Sequence, residues 1–329
     1  MTMTPLTAGR ATLVADCAGD RPLASTRAAL ARSRPEDVLV GLGLMAASEE
    51  RGAWRYTLVA RARAAEAAVL GEVAARREAR VTVEEVAAVW PTARAAGERL
   101  VSAVDLVRLA DRARGRAPRA YLTVAGAVAR PSVVAAALDE TVEALVAAAG
   151  GALGDDWVAI AGGPPGGRLV ERAARAGDCD ELVVIVPTGH EAARRLRTPL
   201  HDWLLRAASA CEGCRMCTDA CPEGDAVVDG EPLAPHRLAL DVAQGREPAG
   251  ALAAAACTGC GVCDAACPSS LAPSRIVGAV AERVRAAGGT PPAVAPSVPL
   301  PRGLDLALLT LRLGLGDFAA APVEVTSLR

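Results

Sequence analysis

Apolar positions in the first part of the chain follow two alternating periods. Short apolar runs at Thr12-Leu13-Val14-Ala15, Tyr56-Thr57-Leu58-Val59-Ala60 and Arg80-Val81-Thr82-Val83 have the length and bias of buried strands. Between them Leu23–Arg32, Asp37–Ala47 and the Ala- and Arg-rich stretch Ala62–Glu78 space their apolar residues as helices do, and a further helix is expected from Glu98 towards Arg112. This alternation predicts an α/β domain over residues 1–116. After Gly115-Arg116-Ala117-Pro118 the pattern restarts as a strand at Tyr121–Val128, a turn at Arg130-Pro131, a helix over Glu140–Ala149 and a strand at Trp157–Ile160. A hairpin, a crossing helix and further strands suggest a small β-grasp unit over 117–172. Beyond it, helical spacing dominates 173–288: Glu191–Ala210, bent near Thr198-Pro199, then Pro235–Val242, then Ala249–Ala256 after the break at Gly245 and Pro248. Residues 289–329 read as a tail.

Composition narrows the chemistry. Hydrophobic residues make up 52% of the chain but aromatics only 2%, so Ala, Val and Leu build the cores, which suits closely packed helices. Every one of the 36 Lys+Arg positions is Arg, and Asn is absent too. A Walker-type phosphate loop, a Schiff-base nucleophile and a glycosylation sequon are thereby excluded. The net charge of −2, with both signs mixed along the chain, offers no basic face for nucleic acid. A membrane span needs roughly 20 mostly apolar residues, and the most suggestive run, Leu304–Leu315, carries Asp305 and Arg312. The N-terminus lacks the pattern of a secretory leader, so a cytoplasmic, thiol-preserving location is expected.

Eight of the 10 cysteines then decide the main question. They form two copies of one pattern, Cys211-x-x-Cys214-x-x-Cys217-x-x-x-Cys221-Pro222 and Cys257-x-x-Cys260-x-x-Cys263-x-x-x-Cys267-Pro268. This is the run that bacterial-type ferredoxins use for [4Fe–4S] clusters. A cubane presents four irons, so three closely spaced thiolates wrap three corners and the fourth must come from elsewhere. In two-cluster ferredoxins it comes from the other run, which predicts one cluster on Cys211, Cys214, Cys217 and Cys267 and a second on Cys257, Cys260, Cys263 and Cys221. A tetrahedral zinc site would be overfilled by such runs, and a disulfide framework belongs to small secreted domains. The expected third domain is therefore an α-helical dicluster ferredoxin domain, and the fold class a multi-domain α/β one.

The remaining residues fit around that centre. Cys17 and Cys179 lie outside both runs and read as buried small apolar residues. His190, His201 and His236 are scattered and read as structural or surface groups. Gly213, Gly259 and Gly261 allow tight turns that aim N–H groups at sulfur. Glu212 and Arg215 charge the first loop, while the second has no charge before Asp264; since charge near sulfur tunes potential, the two clusters are expected to differ. Arg206, Arg215, Arg237 and Arg275 are available to offset cluster charge. Arg61, Arg63, Arg76, Arg77 and Arg80 are read as one helical face, solvated or docking an acidic redox partner.

YLTVAGAVARPSVV (121–134), VAIAGGPPGGRLV (158–170), ELVVIVPTGH (181–190) and the two cysteine runs together resemble a soluble-ligand-binding β-grasp module followed by a dicluster segment. That combination is similar to the C subunit of the Rnf electron-transport complex and to the cobalamin reductases of propanediol-utilisation microcompartments, over about residues 10 to 290. The resemblance implies electron transfer between a reduced nicotinamide or flavin and an acceptor, with flavin on the N-terminal domain. There the chain departs from the family. In place of a GGAGFPTH-like loop it has only Ala8-Gly9-Arg10, the ECEP-like stretch is Cys17-Ala18-Gly19-Asp20-Arg21-Pro22, and the YPAGDE-like stretch is Trp90–Glu98. Glycine-rich backbone lets a loop approach phosphate, so the N-terminal domain is expected to be degenerate, with FMN and NADH binding weakened or lost. The loop Gly162-Gly163-Pro164-Pro165-Gly166-Gly167 has lost two N–H donors to proline and reads as a rigid turn near the cluster domain.

These readings converge on an electron-transfer subunit with no acid, base or nucleophile of its own. Two [4Fe–4S] clusters would relay single electrons between a flavin- or NADH-linked or ferredoxin-like donor and a partner acceptor, such as a flavoprotein, ferredoxin or corrinoid-linked enzyme. A peripheral membrane complex or a microcompartment would be its setting. The competing readings are a complete FMN-dependent NADH reductase acting on cobalamin or quinone, and an assembly subunit whose clusters are structural.

Overall fold

The computed structural model describes residues 10–18, 21–49, 55–87, 89–90, 98–224, 226–289, 304–318 and 325–327. The expectations placed on Ala8-Gly9, Gly19-Asp20 and residues 91–97 lie outside them.

The N-terminal region is an α/β layer, as the alternating pattern predicts. Four parallel strands run in the order Val81–Glu85, Arg55–Ala62, Arg10–Asp16, Glu98–Ser102. Leu13 and Val14 pair with Leu58 and Val59 on one side and with Arg99 and Leu100 on the other. Helices Thr26–Ser33, Pro35–Glu49, Ala64–Arg76 and Ala103–Ala113 pack around Leu13, Leu30, Leu42, Leu70 and Leu106, all fully buried. Small residues let these helices close up. A Cβ on Gly41 would stand 2.1 Å from the carbonyl oxygen of Leu106.

Two expectations need correction here. Residues Glu98–Ser102 form a strand, with the helix starting only at Ala103. Leu100 and Val101 complete the edge of the parallel sheet beside Val14 and Ala15, and Ser102 caps the helix by accepting the Val104 N–H at 3.1 Å. The arginines Arg61 to Arg80 do not share one helical face. Arg61 lies in the strand and donates to both oxygens of Glu98 at 2.8 and 2.6 Å and to Glu84 at 2.9 Å, while Arg80 lies in the link that follows the helix.

A second sheet follows, ordered Val325–Ser327, Ser132–Ala136, Ala120–Gly126, Leu182–Pro187, Trp157–Ala161, Arg168–Val170. Ala120–Gly126 and Ser132–Ala136 form the expected hairpin, and Leu182–Pro187 returns parallel to the first of them. Helix Val142–Ala148 covers one face, capped by the Thr141 hydroxyl. Every residue of Ala120–Gly126 is buried, because the strand is covered on both sides: Tyr121 joins the core of the α/β layer and Leu122 that of the crossing helix.

The C-terminal region is helical, with the hairpin Val227-Val228/Glu231-Pro232 between its two cysteine runs. The expected helix Glu191–Ala210 is two helices, Glu191–Arg197 and Leu200–Ala210, since Pro199 pushes Thr198 out of the helical region. The expected helix Ala249–Ala256 is only a 3₁₀ turn, Leu252–Ala256: Gly250 is left-handed and the Cys257 N–H closes back on Ala254. Helices Pro235–Ala243 and Pro273–Ala286 each begin at the proline. Among the described residues no helix is long and apolar enough to cross a membrane.

Candidate metal centre

The two cysteine runs fold alike. Cys211 ends helix Leu200–Ala210 and Cys257 ends the turn Leu252–Ala256, so each run starts where a helical segment delivers its chain. Gly213 and Gly259 are both left-handed, at φ +67° and +70°. Arg215 and Gly261 are left-handed too, at φ +68° and +73°, and each opens a short helix carrying the third cysteine, Met216–Asp219 with Cys217 and Val262–Ala266 with Cys263.

These loops sort the eight thiols into two cavities. Cys211, Cys214, Cys217 and Cys267 line one, together with His236 and Leu271. Cys221, Cys257, Cys260 and Cys263 line the other, together with Ser274 and Val277. Each cavity thus takes three cysteines from one run and the last cysteine of the other. Among the described residues no three His, Cys, Asp or Glu side chains are grouped to hold a single metal ion.

Burial raises five of these thiols. It pushes Cys217 and Cys221 up to about 12, and it lifts Cys257, Cys260 and Cys263 as well. Backbone N–H groups pull the other way, from Glu223 on Cys221, Gly259 on Cys257 and Val262 on Cys260. Such donors, aimed at sulfur, suit anionic thiolates held by a metal centre. Cys17 and Cys179 lie outside both cavities, packed in the cores of the two sheets, where burial raises both thiols.

Several residues of this centre were not read from the sequence. Thr218, one residue past Cys217, accepts the His236 backbone N–H at 3.2 Å and shares a hydrogen with His236 Nδ1 at 2.7 Å. Asp264, one residue past Cys263, accepts from the Ser274 N–H at 2.8 Å and hydroxyl at 2.7 Å. Both partners sit just after the proline of a following helix, in Leu233-Ala234-Pro235-His236-Arg237 and Leu271-Ala272-Pro273-Ser274-Arg275. That repeated Leu-Ala-Pro-x-Arg segment is the signal that could have found them. Arg285, also missed, donates to the Cys257 carbonyl at 2.8 Å and the Ala255 carbonyl at 3.1 Å. The arginines expected to offset cluster charge are engaged differently: Arg206 stacks on Trp203, its guanidinium carbon 4.9 Å from the ring centre, and Arg237 pairs with Glu231 at 3.1 Å.

Comparison with known proteins bears on the nature of this centre. Residues 210–272 match the 4Fe-4S dicluster domain family, so the centre is one for two [4Fe–4S] clusters. Over 125 residues, 38% of the chain, the sequence is 34% identical to the cobalamin reductase PduS of Citrobacter freundii and 35% identical to that of Salmonella typhimurium. The match spans 27% of the length of each relative. Among solved structures, an NAD+-reducing [NiFe]-hydrogenase in the H2-reduced state aligns with 84% of this chain and 56% of its own, at 14% identity and a TM-score of 0.47. Over that matched stretch the chain is similar to the PduS-type cobalamin reductases, and its residues 210–272 carry a 4Fe-4S dicluster domain.

Proposed function

We propose that the chain is an iron–sulfur electron-transfer protein in which Cys211, Cys214, Cys217 and Cys267 hold one [4Fe–4S] cluster and Cys221, Cys257, Cys260 and Cys263 hold the other. The carrying observation is the sorting of the eight thiols into two cavities, each completed by the last cysteine of the opposite run. Bound clusters supply reversible storage of one electron each. The protein's own residues bind the clusters, direct N–H groups at sulfur and keep the two sites adjacent. One electron leaves a reduced flavoprotein or ferredoxin-like donor and one reaches the acceptor, so no bond is made or broken within the chain.

A second reading is favoured by the relatives' activity. Because both are cobalamin reductases, the acceptor on this reading is a corrinoid-linked enzyme, and a chain that retained flavin would be an NADH-dependent reductase acting on cobalamin or quinone in its own right. The departure at Cys17–Pro22, where the family has an ECEP-like acidic stretch, argues for the simpler relay. Anaerobic purification followed by iron and flavin analysis and NADH-driven dye reduction separates the two. The relay predicts two clusters without flavin; about one flavin per chain with NADH turnover establishes the reductase.

A further inference from the structure

The two cysteine loops share a backbone but differ in what covers them. At equivalent places Cys214 is exposed and Cys260 partly covered, Arg215 is exposed and Gly261 buried, Met216 is 44% exposed and Val262 fully buried. The cover comes from two distant parts of the chain. Val262 packs on Leu309 of helix Leu306–Arg312, whose Arg312 donates to the Ala265 carbonyl at 3.0 Å. On another side lies the turn that follows strand Trp157–Ala161. A Cβ on Gly166 would stand 2.5 Å from the Gly259 carbonyl oxygen and 3.3 Å from the Cys260 carbonyl carbon. A Cβ on Gly261 would stand 2.6 Å from the Pro165 Cβ and 2.9 Å from the Gly166 nitrogen.

This contact explains a difference between the repeats that backbone conformation does not. At φ +68° Arg215 carries a full side chain into solvent, so the left-handed position tolerates one. At φ +73° its counterpart Gly261 has no room, because Pro165 occupies the place its side chain would take. Glycine here serves close approach of two backbones.

We propose that the Gly163–Gly167 turn is a seal over the second iron–sulfur loop, with Pro165 and Gly166 seated on Gly259–Gly261, so that one cluster is kept from water while the other faces it. The proposal rests on the reading of the eight cysteines as cluster ligands. Water near a cluster stabilises the added negative charge of its reduced form and raises its potential, and it also admits chelators. Pro165 and Gly166 are therefore positioning residues for the second cluster alone.

The test uses the full chain loaded with iron and sulfide, its iron release to a water-soluble ferrous chelator, and a redox titration followed by EPR. The unsubstituted chain should release its iron in two phases of equal size. Gly261→Ala and Gly166→Ala, which wedge the contact from either side, should speed the slow phase several-fold and shift one midpoint upward, leaving the fast phase and the other midpoint in place. Pro165→Ala, which trims the seal without adding bulk, should act in the same direction and decides the matter if the glycine variants do not fold. Unchanged slow phases, or equal effects on both clusters, overturn the seal while leaving the ligand reading intact. An unsubstituted chain that takes up fewer than two clusters overturns both.

Discussion

The Asp264 carboxylate and Ser274 are joined twice, through the serine N–H at 2.8 Å and its hydroxyl at 2.7 Å. The pair fastens the short helix that carries Cys263 to the first turn of helix Pro273–Ala286. Asp264→Ala leaves both serine donors without this acceptor in a partly covered site, which costs about 1–3 kcal/mol. Asp264→Asn keeps one acceptor oxygen and should cost less. Denaturant unfolding of the chain compared with both variants checks the order, and equal stability of all three would show that the pair contributes nothing.

Crossed ligation makes a prediction about matching pairs. Because Cys221 lines the cavity of Cys257, Cys260 and Cys263, Cys221→Ser should remove the same EPR signal as Cys260→Ser. Cys267→Ser should likewise match Cys214→Ser, since those two line the other cavity. If Cys221→Ser instead matches Cys214→Ser, each run holds its own cluster and the assignment fails.

Different parts of this centre were legible in the sequence to different degrees, for physical reasons. Cluster chemistry was plain because thiolate spacing is dictated by the cluster's own size, whatever the surrounding fold. The supports at Thr218–His236 and Asp264–Ser274 were carried only by a short Leu-Ala-Pro-x-Arg repeat whose offset from the cysteines differs between copies. The contrast of Arg215 with Gly261 was unreadable, since its cause is a turn in another sheet. In the α/β layer the strands of Leu13 and Leu58 announced themselves as apolar runs. Glu98–Ser102 did not, because only Leu100 and Val101 are apolar and a strong helix follows at once.

The junction between the two sheets is ionic and should respond to acid. Asp111 accepts from Arg34 at 2.9 Å, from Arg116 at 3.1 Å and from the Tyr121 hydroxyl at 3.0 Å. Burial raises its affinity for protons, but the hydrogen bonds from Arg34, Arg116 and Tyr121 outweigh burial and hold the carboxyl below its ordinary value. A group depressed by folding adds stability above its unfolded pKa of about 3.9 and loses it as pH falls through the lower folded value. Stability should therefore decline below about pH 4, and Asp111→Asn should flatten that decline. At neutral pH the same variant should be weaker by about 2–3 kcal/mol, the scale of a hydrogen bond to a charged group. Unfolding curves collected from pH 3 to 7 test both signs, and an unaltered acid slope would remove Asp111 from the account.

Two glycines on helix Pro35–Glu49 should respond oppositely to the same change. A Cβ on Gly41 would stand 2.1 Å from the carbonyl oxygen of Leu106, 2.6 Å from its carbonyl carbon and 2.8 Å from its Cα, all backbone atoms of the facing helix. No rotamer relieves such a contact, so Gly41→Ala must drive helices Pro35–Glu49 and Ala103–Ala113 apart around Leu42 and Leu106. Overpacking of this kind costs about 1–3 kcal/mol, more than the ~1 kcal/mol that alanine gains over glycine in a helix. Gly43 has nothing within 4 Å of a Cβ, so Gly43→Ala should keep that gain and raise stability by roughly 0.5–1 kcal/mol. Thermal unfolding of the two variants side by side measures the difference, and a stabilised Gly41→Ala would mean that the helices do not meet as closely as the fold requires.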